Sequence, residues 1–191
     1  MNLPLLVAAA PTLRLETARL VLRRLEPADV PTAIAHEQDR AIMQWIRDPQ
    51  PLATIEERAN GLAAPFCGLD GEWLALAIAP NGQQSMVGIV VCRVTVAANA
   101  TMEVGYRLQP DVHRRGYCFE ACVALCEFLF AQIGVRKLVA FCVADNEPSW
   151  RLMEKLGMRR EAVFREFTQL SGQWRDEFVY GLLAREWRTA T

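Results

Sequence analysis

The chain has 191 residues, 52% of them hydrophobic, with a net charge of −1, six cysteines and two histidines. A chain of this size folded as one domain buries roughly 70% of the surface it exposes when unfolded, so neither a disulfide nor a metal is needed to hold it. The near-zero charge excludes a general attraction to nucleic acid or to an anionic membrane, and the scattered histidines, with no Cys-x-x-Cys pair, argue against a metal centre.

Residues 3–10 are apolar and end in alanines. They lack a basic leader segment and are too short to cross a bilayer, so residues 1–12 are expected to be a flexible tail before a single domain at 13–187. Residues 13–25 alternate apolar and polar in their second half and predict a first strand. Pro27 opens a helical stretch to about residue 38, and a short helix follows near 41–46. Thr54 with Glu56 and Glu57 behind it marks the start of a helix running to about 64. Residues 73–79 and 86–96 predict a hairpin around Pro80-Asn81-Gly82.

Residues 101–108 put Met102, Val104, Tyr106 and Leu108 on one face and Thr101, Glu103, Gly105 and Arg107 on the other, the pattern of a half-buried strand. After Pro110 a polar turn leads into residues 118–133. These carry only Glu120 and Glu127 as charges and predict a helix covered on most sides. Within it Cys118, Cys122 and Cys126 recur every four residues as small apolar packing, and the cysteine usage as a whole fits a reduced, cytoplasmic protein. Gly134 ends that helix, and the apolar run 138–143 reads as a parallel strand buried on both faces. Asn146 precedes a helix with Pro148 in its first turn and Gly157 as its stop; strands at 159–169 and 174–183 follow. The order predicts an α/β (α+β) fold, a mixed central sheet of about seven strands flanked by helices.

In open sheets of this kind ligands sit at the carboxyl ends of the strands. There Arg114, Arg115 and Gly116 lead into a helix start, whose unpaired amides and partial positive charge suit a phosphate. Taken alone, the simpler reading of these residues is a solvated basic turn.

Separated motifs add to that signal. They are residues 15–23, Met86-Val87-Gly88-Ile89, Glu103-Val104-Gly105-Tyr106 with Leu108 and Pro110, Arg115-Gly116-Tyr117-Cys118-Phe119-Glu120-Ala121, Asn146-Glu147-Pro148-Ser149 continuing through 154–158, and residues 171–176. In order and spacing they resemble the GNAT N-acetyltransferase superfamily, and within it the RimJ/RimL-like (ribosomal-protein-alanine acetyltransferase) branch.

The resemblance implies acetyl-CoA as donor and an amine as acceptor, either a protein N-terminal alanine or serine or a small amine, in a monomer or homodimer. It implies a pyrophosphate on the amides of Arg114, Arg115, Gly116, Tyr117 and Cys118, with side-chain contacts from Arg114 and Arg115. It also implies a pantetheine arm running along Val104 and Tyr106 like an added strand, with Asn146 bonding that arm or the acceptor. The family often has Gly at position 114, Ala at 118, Thr at 119 and a Tyr acid at 153, where this chain has Arg114, Cys118, Phe119 and Met153.

Glu103 is the candidate base, the alternative being a surface pair with Arg107; Glu120 is a rival that equally serves the helix dipole. Ser149 is the candidate donor to the leaving sulfur, although Asn146 and Ser149 also suit helix capping. A CoA-binding module without catalysis is the alternative to an enzyme.

Overall fold

In the computed structural model, which describes residues 1–187, every residue of strand β3 (Leu74–Pro80) is buried. Both faces of the strand are covered. Leu74, Leu76 and Ile78 enter one layer, where each fully buried side chain contributes about 1.5–3 kcal/mol, while Ala75 and Ala77 enter the other. The larger layer packs against helix α5 (Tyr117–Glu127) through Ala121, Cys122, Leu125 and Cys126. The smaller one lies under helices α2 (Val30–Gln38) and α4 (Leu52–Ala63), through Ala33 and Ala59.

The other strands are β1 (Arg14–Glu16), β2 (Leu20–Arg24), β4 (Gly88–Val96), β5 (Thr101–Leu108), β6 (Lys137–Val143), β7 (Arg159–Leu170) and β8 (Gln173–Leu183). Among the described residues they form one eight-stranded sheet in the order β1-β2-β3-β4-β5-β6-β8-β7. Three further helices complete this set: α1 (Leu3–Ala9), α3 (Arg40–Met43) and α6 (Glu147–Lys155). The mixed sheet flanked by helices matches expectation, with one more strand than the seven anticipated.

The feature that makes a site is the parallel pair β5 and β6. It holds register only at Thr101↔Lys137, Met102↔Leu138 and Glu103↔Val139. Beyond that rung β5 stays with β4 as far as Leu108↔Gly88, and β6 stays with β8 as far as Val143↔Glu177, so the two halves of the sheet diverge. A wedge-shaped cleft opens between them, roofed by the starts of α5 and α6.

Several expectations need correction. Residues 1–12 are not a loose tail: α1 is capped by the Asn2 side chain, and Leu6 and Ala10 are buried. The Asn2 amide also donates to the Ile133 carbonyl at 2.7 Å, because the apolar spacing of Leu3, Leu6 and Val7 gives the helix a face to dock. The single strand expected at 13–25 is a pair, turned where the Thr17 hydroxyl accepts from the Leu20 amide at 2.9 Å. The α4 helix begins at Leu52 behind Pro51, leaving Thr54 inside the first turn rather than at the cap. The β7 to β8 turn is as short as turns allow, with Ser171 and Gly172 at φ 51° and 74°, the left-handed pair a tight hairpin requires.

Candidate active site

The cleft has a volume of about 960 Å³ and runs through the parted sheet from the α5 and α6 side to the α2 and α4 side. On the first side its lining includes Val104, Tyr106, Arg114, Gly116, Tyr117, Cys118, Asn146 and Ser149. Most of the residues expected to hold a donor therefore meet here.

At the mouth, Gly116 caps α5 at φ 79° with no side-chain cap, and Arg114 precedes it at φ 59°. A left-handed arginine costs about 1–2 kcal/mol. Among the described residues no acceptor meets the amides of Arg114, Arg115, Gly116, Tyr117 or Cys118, so they remain available to an anion. The turn is braced from behind: Arg19 donates to the Arg115 carbonyl at 2.8 Å and pairs with Glu120 at 2.6 Å. Arg114, Arg151 and Lys155 also line the cleft, the last placing Nζ 4.2 Å from the centre of the Phe119 ring. That ring packs against the core while the cleft stays open beside it.

Deeper in, the Tyr106 hydroxyl donates to the Ser149 carbonyl at 2.9 Å and lies 3.1 Å from Ser149 Oγ. Its single proton is thereby engaged, so across the 3.1 Å contact the Ser149 hydroxyl is the donor, and it must rotate away from the phenol oxygen to give its proton to a group in the cleft. Burial pushes the Tyr106 phenol well above its ordinary value, so it stays protonated. Burial also pushes the nearby Cys142 thiol up to about 11, which removes it as a thiolate nucleophile near neutrality. Asn146 caps α6 through its backbone alone, leaving its amide side chain unspent at the cleft wall.

Other candidates lie elsewhere. Glu103 does not line the cleft, nor does it pair with Arg107; its Oε2 accepts from Arg93 Nη2 at 2.7 Å and Nε at 2.9 Å across the strand register. Glu120 is tied to the brace. Burial would raise its carboxyl, but bonds from Thr17 and Arg19 outweigh this and hold it below the usual range. The Arg115 side chain turns away to the Asp111 carbonyl at 3.0 Å, leaving only its backbone at the cradle. Met153 is buried and brings no hydroxyl.

What sequence reasoning missed is the far half of the cleft, where Glu37 of α2 accepts from Arg58 Nη1 at 2.5 Å, Arg107 Nη1 at 3.1 Å and Arg47 Nη1 at 3.4 Å. All four residues line the cleft. The one available signal was a charged residue, Arg107, on the strand face opposite Tyr106. Among the described residues there is no cluster of His, Cys, Asp and Glu able to hold a metal, and no helix long and apolar enough to cross a membrane.

A mixed sheet parted around a helix start with unpaired amides suits an extended ligand that carries a phosphate. Residues 19–159 match the family model described as Acetyltransferase (GNAT) domain, and the chain belongs to that family. It is 29% identical over 175 residues to Uncharacterized N-acetyltransferase YnaD of Bacillus subtilis (strain 168), covering 92% of this chain and 99% of that one. It is 25% identical over 84 residues to the [Ribosomal protein uS5]-alanine N-acetyltransferase of Escherichia coli (strain K12), covering 44% of this chain and 43% of that enzyme. Among solved structures, the acetyltransferase (GNAT family) from Bacillus anthracis superposes with a TM-score of 0.79 at 25% identity, covering 91% of this chain and 100% of that one. The homologues thus bear the names of N-acetyltransferases, with ribosomal-protein-alanine enzymes among them at distant identity.

Proposed function

We propose that the chain transfers an acetyl group from acetyl-CoA to a primary amine. The observation that carries this reading is the run of free amides at 114–118, set at the mouth of a cleft with an unpaired strand edge along its floor. When bound, acetyl-CoA supplies an acyl group activated as a thioester.

The chain's residues fit that role one by one. The amides of Arg114, Arg115, Gly116, Tyr117 and Cys118 bind a diphosphate, with Arg114, Arg151 and Lys155 adding charge. The β5 edge at Val104 and Tyr106, left open by the parting of the strands, offers backbone groups to an extended amide-bearing arm. The Asn146 side chain orients that arm or the acceptor. Ser149, steadied by Tyr106, donates a proton to the departing sulfur.

Deprotonating the acceptor sets the remaining demand. Neutralising a lysine side chain at pH 7 costs about 4–5 kcal/mol, an α-amino group only about 1–1.5. With Glu103 held by Arg93 outside the cleft lining, solvent takes that proton, which suits an amine of low basicity. A protein N-terminal alanine or serine satisfies this, and so does a small amine of comparably low basicity.

Thermal shift with acetyl-CoA and CoA tests the first half of the proposal, and thiol release against N-terminal peptides and small amines tests the second. Stabilisation with turnover is expected. Stabilisation without turnover on any amine leaves a CoA-binding module, and no stabilisation at millimolar ligand refutes both readings.

A further inference from the structure

On the α2 and α4 side of the cleft the charges do not balance. Three guanidiniums, those of Arg47, Arg58 and Arg107, converge on the one carboxylate of Glu37, a formal excess of two positive charges. The exposures are graded: Glu37 and Arg107 side chains are 1% and 8% exposed, whereas Arg58 and Arg47 reach 30% and 34% toward the cleft. Arg107 Nε and Nη2 meet no partner among the described residues. Arg47 and Arg58 each commit only Nη1, so the rest of each guanidinium fork is unspent.

A purely structural cluster would place more acid here, because buried cation is costly without it. Glu103 is paired with Arg93, and Asp48 is held by Arg40 and the Ser171 amide; Glu177, also on the cleft lining, accepts from the Thr168 hydroxyl, which does not cancel its charge, but among the described residues it makes no bond to the three arginines. Burial lowers the Arg47 and Arg107 guanidiniums from their ordinary values, against the opposing pull of Glu37. The excess charge lies across the parted sheet from the 114–118 cradle, so it is additional to the cations that a diphosphate would use.

We propose that this half of the cleft seats a carboxylate carried by the acceptor amine, gripped by Arg47 and Arg58, with Glu37, itself held by Arg107, fixing the two forks. The proposal rests on the acyl-transfer reading for its choice of acceptor, and it narrows the substrate class to amines that also bear an acidic group. Polycationic acceptors such as polyamines and aminoglycosides are repelled by the same charges.

The test is titration calorimetry of the intact protein with N-acetylglutamate and N-acetylalanine, each as free acid and as amide. The acid is expected to bind about tenfold tighter or more, the discrimination a charge-assisted bond supplies, and less so at high salt. Arg47→Gln should abolish that preference while leaving the acetyl-CoA thermal shift intact, and Arg58→Gln is the second variant. Acid and amide binding alike, neither binding, or a preference surviving in both variants would overturn the proposal. Failure of acetyl-CoA to stabilise the wild-type protein instead refutes acyl transfer, so the two readings fail on separate ligands. Turnover of free glutamate but not of an Ala-Asp peptide assigns the carboxylate to a free amino acid, and the reverse assigns it to an acidic N-terminus. Preference for spermidine over both overturns the proposal.

Discussion

Ser149→Ala removes one hydroxyl from the cleft wall and leaves most of its surroundings in place. The Tyr106 proton keeps its acceptor, the Ser149 carbonyl at 2.9 Å, so only the 3.1 Å contact to Oγ is lost. Alanine is also a good first-turn residue for α6. Stability should therefore fall by about 1 kcal/mol at most, or roughly 2–4 °C in melting temperature for a chain of this size. The catalytic effect should be far larger. Donation to a leaving group by a placed acid contributes about 10²–10⁴ in rate, or about 2.7–5.4 kcal/mol of barrier. Thiol release at saturating acetyl-CoA should show kcat down at least about a hundredfold, with the donor affinity from calorimetry changed by less than about threefold. A kcat within about threefold of wild type would remove Ser149 as the acid. Tyr106→Phe should act in the same direction but more weakly, because it unseats the donor without deleting it.

Further expectations concern other residues. Glu103→Gln should change kcat by less than about threefold between about pH 6 and 9, since the carboxylate serves Arg93 rather than the cleft; a large loss with donor affinity intact would restore it as the base. Leu6→Ala should cost about 2–4 kcal/mol in denaturant unfolding, because Leu6 is fully buried on the face that α1 turns to the core, whereas a free tail would give no change. Burial and the nearby Arg107 lower His36 from its ordinary value, while Asp39 and Asp111 oppose them, so the unfolded chain takes up the proton first. Stability is then complete above about pH 6.5 and falls as the pH drops toward the folded value, and His36→Phe should flatten that slope in urea titrations at pH 5 to 7. An unchanged slope would mean that His36 titrates normally.

The parts of the molecule that could be read from the sequence are those governed by local spacing. The alternation of residues 101–108, the charge-poor helix and the run at 138–143 gave β5, α5 and β6, and with them the side of the sheet where a site must lie, although β6 is not buried on both faces as expected, because the parted sheet exposes Phe141 to the cleft. The cradle at 114–118 followed from a turn leading into a helix start. What escaped was set by distance along the chain. Glu37 and Arg107 are 70 positions apart, and no periodicity links them. The expected Glu103 to Arg107 pair fails on geometry, since four residues of strand span about 13 Å while a directly opposite residue lies within about 5.5 Å, and Arg93 occupies that place. The docking of α1 was hidden because a short apolar stretch does not declare its partner, here the end of the helical segment Phe128–Gln132 that follows α5, at Ile133. The parting of β5 from β6 depends on where two strands stop pairing, which neither strand's own pattern encodes.

Backbone amide NMR during titration with CoA probes the cradle itself. The largest shifts are expected on Arg114, Arg115, Gly116, Tyr117 and Cys118, saturating together with smaller changes at Val104, Tyr106 and Asn146. Saturable binding whose shifts centre on another surface, with those amides unmoved, would contradict a diphosphate seat at the start of α5.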